Sequence, residues 1–171
     1  MTPTEAVEAA QAASVVQMIV PGLDVATSRQ AIAIATQFPG VCFATIGVHP
    51  SEVLIDGFDL TATVGQLKAL LPSKEQKSEI RNPKPETISN FKSPTTKQGP
   101  QLPATDYQLL PTIVGIGETG IDYYHYDREK TRSAQREAFA AQIELAIDHN
   151  LPVIVHGRQA YDDVLDVIKA Y

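Results

Sequence analysis

The sequence predicts an α/β fold in which about four buried strands alternate with helices. Three observations support this class. Short runs of β-branched and other apolar residues recur along the chain. Stretches with apolar residues at helical spacing separate these runs. Polar residues stand where several of the runs end. Strands separated by helices imply parallel pairing with right-handed crossovers, in either a barrel or an open doubly wound sheet.

The first helix and the first strand are predicted near the N-terminus. Residues 4–13 are rich in alanine and glutamate, which favours a helix. Residues 15–20 are rich in β-branched side chains and are followed by Pro21 and Gly22. This pattern indicates a short strand that ends at the proline and glycine.

The second helix and the second strand follow in the same order. Asp24 can cap the helix, and Pro39 and Gly40 end it. The apolar face of this helix is predicted to consist of Ala31, Ile34, Ala35 and Phe38. Residues 42–48 then form a buried strand, and we interpret the single cysteine, Cys42, as a packed strand residue.

A third helix and an unusual segment come next. The helix is predicted from apolar residues at i, i+4, i+7 and i+11, namely Leu60, Val64, Leu67 and Leu71. Residues 72–106 hold six of the twelve prolines, few apolar residues and several lysines. Because this segment cannot bury enough surface to offset the entropy of ordering, we predict a flexible insertion within a single domain spanning residues 1–171. A contact of its lysines with nucleic acid is the less favoured alternative to a solvated loop.

Two strands and two helices are predicted in the C-terminal part of the chain. Residues 111–117 form a continuous apolar run of the kind buried in parallel sheets. A long helix over 128–149, a strand over 153–156 and a last helix over 160–170 follow. The inner face of the long helix is predicted to carry Phe139, Ile143, Ala146 and Ile147. The inner face of the last helix is predicted to carry Tyr161, Val164, Leu165 and Ile168.

Composition and charge restrict the function classes. The net charge of −6 argues against a protein that attracts nucleic acid over its whole surface. It does not exclude a nuclease whose positive charge comes from bound metal ions. No apolar run approaches the roughly 18 residues of a membrane span, and the N-terminus has no basic segment followed by an apolar one. We therefore expect a cytoplasmic protein without membrane contact.

The placement of polar residues favours a barrel over an open sheet. The sequence has no glycine-rich phosphate loop of the Rossmann or Walker type, which weakens a nucleotide-binding open sheet. In barrels, functional residues gather at the C-terminal ends of the strands. His49, Glu118 and His156 each stand at such an end.

Glu118 and His156 are the strongest candidates for a metal site. Glu118 lies between Gly117 and Gly120, which allow a sharp turn that leaves the carboxylate in a cleft. Coordination of divalent cations and a salt bridge to arginine or lysine explain this carboxylate equally well. His156 stands one strand–helix–strand repeat later, and an imidazole beside a carboxylate suits zinc, manganese or a similar ion. The alternative for His156 is a packed core or loop residue.

Four further residues could support chemistry at the same edge of the sheet. Arg158 could donate to a phosphate oxygen or form an ordinary salt bridge. His49 could hydrogen-bond a phosphate or a water. Asp122 could fix the loop after Glu118 and orient a metal ligand. Tyr124 is equally able to pack and to stack on a base of the substrate.

Four segments in series resemble the TatD family of metal-dependent deoxyribonucleases. They are Ile-Gly-Val-His-Pro at 46–50, Gly-Ile-Gly-Glu-Thr-Gly-Ile-Asp-Tyr-Tyr at 115–124, Gln135 with Phe139 and Gln142, and Leu-Pro-Val-Ile-Val-His-Gly-Arg-Gln-Ala at 151–160. Each segment is weak by itself, but their order and their positions at strand ends are hard to obtain by chance. The resemblance spans nearly the whole chain except the predicted insertion.

The resemblance implies a fold, a chemistry and a substrate. The fold is a partial TIM-like (β/α) barrel with about four parallel strands, lacking the first strand and the last three. The chemistry is hydrolysis of phosphodiester bonds in DNA, 3′-to-5′ exonuclease-like, by water that two divalent cations (magnesium, manganese or zinc) activate. Glu118 matches the family's metal-bridging glutamate, and His156 matches its histidine ligand on the following strand. His49 and Arg158 match its substrate-side positions.

The resemblance also implies an incomplete metal site. The family begins with a strand that carries His-x-His and ends with three more strands that bring another histidine and a catalytic aspartate. None of these matches the present chain, which we therefore expect to be a fragment that is inactive alone. It could instead complete its barrel by self-association, or with a partner, at open strand edges. Alternatives from other classes are a noncatalytic half-barrel interaction module and a metal-dependent amidohydrolase acting on a small molecule.

Overall fold

Strands and helices alternate along the computed structural model, which describes residues 1–72, 112–124 and 126–171. The strands of these residues are β1 (Met18–Pro21), β2 (Cys42–Ile46), β3 (Ile113–Asp122) and β4 (Val153–Arg158). Their α-helices are α1 (Pro3–Ala12), α2 (Val25–Gln37), α3 (Leu60–Leu70), α4 (Arg128–His149) and α5 (Tyr161–Ile168). A short 3₁₀ helix, Glu52–Leu54, lies between β2 and α3. The predicted alternation is confirmed.

The four strands form one parallel sheet in the order β1, β2, β3, β4. Each strand therefore pairs with the next strand along the chain. In a doubly wound sheet the strand order reverses at a switch point, whereas a barrel keeps one direction throughout. The predicted partial barrel with about four parallel strands is confirmed, and the strand order of the described residues excludes the open doubly wound alternative.

Short polar side chains set the ends of the helices. Asp24 caps α2 as predicted, because its carboxylate accepts a hydrogen bond from the Thr27 N–H at 2.6 Å. Asp59 and Asp127 cap α3 and α4 in the same way. Asn150 ends α4 in the left-handed conformation, with φ of 48°. These caps satisfy backbone groups that a helix end leaves without a partner.

The helices pack against the sheet through three apolar clusters. The first, between α1, α2 and β2, includes Val7, Ala31, Ala35, Cys42 and Ala44. The second, under α3 and α4, includes Ile46, Val53, Leu67, Ile116, Ala138 and Leu145. The third joins α4 and α5 to β3 and includes Ile121, Phe139, Ile143, Val164 and Val167. Cys42 is buried and free, as the sequence predicted.

Two helix faces differ from the sequence prediction. In α4, Ile147 is 59% exposed although Phe139, Ile143 and Ala146 are buried as predicted. In α5, Val164 is buried, whereas the other residues assigned to its inner face are exposed: Tyr161, Leu165 and Ile168. The face of α5 that packs carries Ala160, Val164 and Val167. Because α5 is apolar on two adjacent faces, helical spacing alone could not show which face is buried.

Two strands extend further than predicted, namely β3 and β4, and β4 ends at Arg158 where the prediction ended it at His156. The prediction ended the third strand at Gly117, but β3 continues to Asp122 after a shift of register between Ile116 and Thr119. Glu118 therefore lies within β3, at the point where the register shifts, and not after the end of the strand as predicted. The glycines cause the difference, since Gly117 and Gly120 have φ of 131° and 143° and allow the strand to bend and resume.

Glycines also bring β2 and β3 close together at their C-terminal ends. A Cβ atom on Gly47 would lie 2.7 Å from the Cα of Gly117, a distance that no larger residue could keep. A Cβ atom on Gly120 would overlap the carbonyl oxygen of His156 on β4. The polar residues of three strands are therefore held at short range.

The predicted insertion at about 72–106 lies outside the described residues, apart from Pro72. Among the helices of the described residues, none is both long enough and apolar enough to cross a membrane.

Candidate metal site

Three neighbouring strands bring His49, Glu118 and His156 together at the C-terminal edge of the sheet. His49 follows the end of β2, Glu118 lies at the irregularity of β3, and His156 lies in β4. Parallel strands end at one edge of a sheet, which is where barrels place their functional groups.

The donor atoms of these residues converge on one point. The Glu118 Oε1 lies 2.9 Å from the His156 Nδ1, and the His49 Nε2 lies 3.2 Å from the same nitrogen. The two imidazole rings meet edge to face, with centroids 4.4 Å apart. One donor atom from each residue lies within 4.8 Å of the other two, which is the only such group of three among the described residues.

Hydrogen bonds fix the orientation of both imidazoles. The Nε2 of His156 lies 3.0 Å from the Asp122 Oδ2, so its Nδ1 faces Glu118 and His49. The Nδ1 of His49 lies 2.8 Å from the Ser51 Oγ, so its Nε2 faces His156. Metal-binding histidines usually donate their second ring N–H to a carboxylate, as His156 can to Asp122. The Nδ1 of His49 also lies 3.2 Å from the backbone nitrogen of Ser51, whose N–H donates to it, so Ser51 fixes the angle of this ring.

The ionisation of the surrounding groups suits cation binding. Burial lowers the pKa of His49, and the neighbouring His156 lowers it further, which favours the neutral imidazole with a free electron pair. Burial would raise the pKa of Asp122, but hydrogen bonds from the Tyr124 N–H and from His156 outweigh it and lower the pKa. Asp122 is therefore ionised, and its carboxylate can accept a hydrogen bond from the Nε2 of His156.

A stacked pair lies beside the cluster, at the ends of β3 and β4. The guanidinium carbon of Arg158 is 3.5 Å from the centroid of the Tyr124 ring, and Tyr124 is 48% exposed. The Tyr124 N–H donates to the Asp122 Oδ1 at 2.8 Å, and Asp122 pairs with Arg158 in the sheet register. The pair is thus connected to the carboxylate that holds His156.

The residues present fit a divalent cation of intermediate softness. Two imidazole nitrogens and one carboxylate oxygen make the ligand set of many zinc and manganese sites, whereas magnesium and calcium prefer oxygen alone. Glu118 is 31% exposed and His156 is 19% exposed, so a cation could reach them from solvent.

The structure brings most of the predicted site residues together. Glu118, His156 and Asp122 lie in mutual contact through His156, and Arg158 lies over Tyr124. His49, predicted on the substrate side, belongs to the group of three residues that could hold a metal ion, and its Nε2 faces the Nδ1 of His156. The roles of these residues remain predictions.

Three contributors were not predicted from the sequence. Ser51 orients His49, and its position directly after His49-Pro50 was the available signal. Gln135 and Gln142 hydrogen-bond to backbone at the strand ends, although the sequence marks them only as part of a family pattern.

Comparisons with known proteins agree with this geometry. A family model described as TatD related DNase matches residues 1–171. An uncharacterized metal-dependent hydrolase of Bacillus subtilis, YabD, is 29% identical over 165 residues, which are 96% of this chain and 48% of the relative. A protein of Yersinia pseudotuberculosis named 3′-5′ ssDNA/RNA exonuclease TatD is 30% identical over 165 residues, 96% of this chain and 47% of the relative. The chain spans about half the length of these curated relatives.

A solved structure shows the same fold. The crystal structure of YjjV, a TatD homologue from Escherichia coli K12, matches with a TM-score of 0.62 over 98% of this chain and 49% of that chain. The sequence identity is 20%, so this likeness concerns the fold alone.

Proposed function

Because the chain belongs to the TatD-related DNase family, we propose that it serves the metal-dependent hydrolysis of phosphodiester bonds in nucleic acid. The proposed ligands of a divalent cation are His49, Glu118 and His156, and Asp122 orients His156. The observation that carries this proposal is the convergence of three donor atoms within 4.8 Å, from the residue His49 after β2, from Glu118 in β3 and from His156 in β4.

We propose zinc or manganese as the preferred cation, because two of the three donors are imidazole nitrogens. When bound, such a cation supplies Lewis-acid polarisation of a phosphoryl oxygen and lowers the pKa of water. The family resemblance implies two cations. One carboxylate oxygen of Glu118 belongs to the cluster, and its other oxygen is the group that would reach a second cation.

The stacked pair supports a single-stranded nucleic acid as substrate. An exposed aromatic ring can stack on an unpaired base, and a guanidinium can donate two hydrogen bonds to a phosphate. Tyr124 and Arg158 present both groups beside the proposed cation. A relative is named a 3′-5′ ssDNA/RNA exonuclease, and we propose the same direction on DNA here. A small amide substrate would leave the guanidinium without a phosphate, so we favour the phosphodiester.

Charged residues on the β2 side and the β4 side of the site support one path for a bound nucleic acid strand. On the β2 side, a groove of about 300 Å³ is lined by Asp24, Glu52 and Asp56. These carboxylates repel a phosphate backbone. Arg158 lies on the β4 side, so we propose that the nucleic acid strand crosses the ends of β3 and β4.

We also propose that the 171 residues are inactive alone. The four described strands form only part of a barrel. The two outer strands of this sheet expose apolar side chains, Ile19 in β1 and Val155 in β4. A second copy that adds strands there would cover these side chains. Light scattering during gel filtration tests whether the chain self-associates. A monomer at all concentrations would contradict self-association.

The proposal is tested by titrating the purified chain with zinc, manganese and magnesium in a calorimeter. We expect zinc and manganese to bind more tightly than magnesium. Glu118→Gln should weaken binding by about 100-fold, because it removes the charged ligand and keeps its shape. Glu144→Gln is the matched control, since Glu144 is a carboxylate on α4 that contacts Tyr171 far from the cluster. Equal affinity of the wild type and Glu118→Gln for all three cations would refute the proposal.

The substrate is tested with 5′-labelled single-stranded DNA, the same strand in a duplex, and an amide substrate. We expect the monomer to bind the single strand in a metal-dependent way without cleaving it, and a self-associated form to shorten the strand from its 3′ end. Hydrolysis of the amide in place of DNA would refute the phosphodiester assignment. Cleavage by the monomer would contradict its inactivity, and binding without cleavage by a self-associated form as well would indicate a noncatalytic module.

A further inference from the structure

The inner face of α4 carries two glutamines where apolar residues are expected. Gln135 and Gln142 are 0% and 1% exposed, and the fully buried Phe139 lies between them on the same face. Burial of an amide is unfavourable unless both its oxygen and its nitrogen find partners. These two positions therefore need a reason other than packing.

Gln142 connects residues that adjoin two of the proposed metal ligands. Its Oε1 accepts a hydrogen bond from the Val48 N–H at 2.7 Å, and its Nε2 donates to the Val48 carbonyl at 3.1 Å. The same Nε2 donates to the Thr119 Oγ1 at 2.6 Å. Val48 precedes His49, and Thr119 follows Glu118. One side chain thus joins the C-terminal end of β2 to the irregularity of β3.

Gln135 holds the residue that orients the third proposed ligand. Its Oε1 accepts from the Asp122 N–H at 2.7 Å, and its Nε2 donates to the Asp122 carbonyl at 3.0 Å. The carboxylate of Asp122 lies 3.0 Å from the Nε2 of His156. The backbone of Asp122 is therefore fixed independently of the contact that its side chain makes.

We propose that Gln135 and Gln142 are positioning residues that hold the proposed cation site in register, an inference that rests on the proposed function. Each amide exchanges two hydrogen bonds with the N–H and carbonyl of one residue, as a neighbouring strand does in a ladder. Val48 lies beyond the end of β2. The described pairing of β2 with β3 stops at Ile46, so it gives the backbone of Val48 no partner strand. The glutamine replaces that partner.

A single helix can set this register because it is rigid. The two glutamines are two helical turns apart, roughly 10 Å along the axis of α4. They fix Val48 and Asp122 at a constant separation, so the donor atoms of His49, Glu118 and His156 keep their mutual distances. A metal site needs its ligands within about 0.5 Å of the productive geometry, which is tighter than packing alone provides.

The experiment compares Gln142→Leu and Gln135→Leu with Phe139→Leu in the full chain. All three positions are buried on the same face of α4, so each change should lower the urea midpoint of unfolding. Only the glutamine changes should weaken cobalt and zinc binding in a calorimeter, by about 10-fold to 100-fold. They should also shift the visible absorption bands of bound cobalt, which report the coordination geometry. Phe139→Leu should leave both the affinity and the bands as in the wild type.

Thr119→Val provides a milder test if a glutamine variant does not fold. It removes one acceptor of Gln142 with little change of shape, and should shift the cobalt bands and weaken binding by several-fold. Unchanged affinity and bands in Thr119→Val and in the folded glutamine variants would overturn the positioning role and leave the proposed function intact. Absence of cation binding by the wild type would instead overturn the proposed function, and the positioning role with it.

Discussion

Two carboxylates of this chain lie among nitrogen donors and differ in what neutralises them. Asp163, in α5, is 2% exposed and accepts hydrogen bonds from three arginines of α4, namely Arg128, Arg132 and Arg136. Tyr123 also donates to it at 3.0 Å. Glu118 is 31% exposed, and its ion-pair partner among the described residues is His156. The negative charge of Asp163 is balanced by arginines of the same chain, whereas the carboxylate of Glu118 lies beside two histidines.

The difference separates a structural ion pair from a proposed ligand site. Hydrogen bonding to Arg132 outweighs burial and holds the pKa of Asp163 well below its usual range. Burial, followed by the hydrogen bond to Asp163, raises the pKa of Tyr123 to about 12. In the cluster of His49, Glu118 and His156, the Nδ1 of His156 lies within hydrogen-bonding distance of a donor atom of each of the other two residues, and the three lie close enough together to be the proposed ligands of one cation. The sequence left these two explanations of Glu118 open, and Asp163 shows what a salt-bridged carboxylate looks like in this fold.

The largest expected effect concerns stability at Asp163. Asp163→Ala should lower the free energy of unfolding by about 3 kcal/mol, because it leaves three arginines and a buried tyrosine hydroxyl without their acceptor. Urea unfolding followed by circular dichroism measures this change. Asp162→Ala is the matched control, since Asp162 is the exposed neighbour on α5, and it should change the midpoint only slightly. An equal loss in both variants would remove the distinction between the two carboxylates.

The next effect concerns stabilisation by the cation. At a zinc or manganese concentration of about 100 times Kd, the wild type should gain about 2.7 kcal/mol of stability by linkage. Glu118→Gln should lose this gain, and Asp163→Asn should keep it on a lower baseline. Thermal unfolding with and without the cation measures the gain. If Asp163→Asn also lost it, the two carboxylates would not be independent.

A smaller effect is the acid sensitivity that Asp163 confers. Its pKa is lowered in the folded state, so its contribution to stability is complete above the unfolded pKa of about 3.9 and is lost as the pH falls below that value. The stability difference between the wild type and Asp163→Asn should be constant from about pH 5 to 7. Below about pH 4 it should shrink by at most about 1.4 kcal/mol per pH unit. A difference that grows in acid would have the wrong sign for this assignment.

The smallest effect concerns Arg158, which lies over Tyr124, whereas Arg128, Arg132 and Arg136 of α4 pair with Asp163. Arg158→Ala and Tyr124→Leu should each weaken binding of single-stranded DNA by about tenfold in fluorescence anisotropy. Lys130→Ala is the control, because Lys130 is an exposed cation paired with Asp127 on α4. If the control weakened binding as much, the attraction would be a general charge effect.

The sequence predicted parallel strands alternating with helices, and the closeness of Glu118 to His156, for a physical reason. Parallel strands with helical crossovers end at one edge, so Glu118 and His156 were expected side by side before any coordinates. His49 is expected at this edge for the same reason, but strand direction does not determine which of its atoms faces which partner. That detail depends on Ser51 and Asp122, whose hydrogen bonds fix the rings.

Burial of polar residues could not be predicted from local pattern. Asp162 and Asp163 look alike in the first turn of a short helix, and only the packing of α5 on α4 buries the second. The exposed Leu165 of α5 was misassigned for the same reason, since the helix is apolar on two faces. Gln142 reads as an ordinary polar helix residue until its tertiary contact with Val48 is known.

The most direct measurement of the central claim is the anomalous scattering of zinc in crystals of this chain. The account predicts a peak about 2.0–2.2 Å from the Nε2 of His49, an oxygen of Glu118 and the Nδ1 of His156. Zinc bound elsewhere, with these three donors still hydrogen-bonded to one another at saturating zinc, would contradict it.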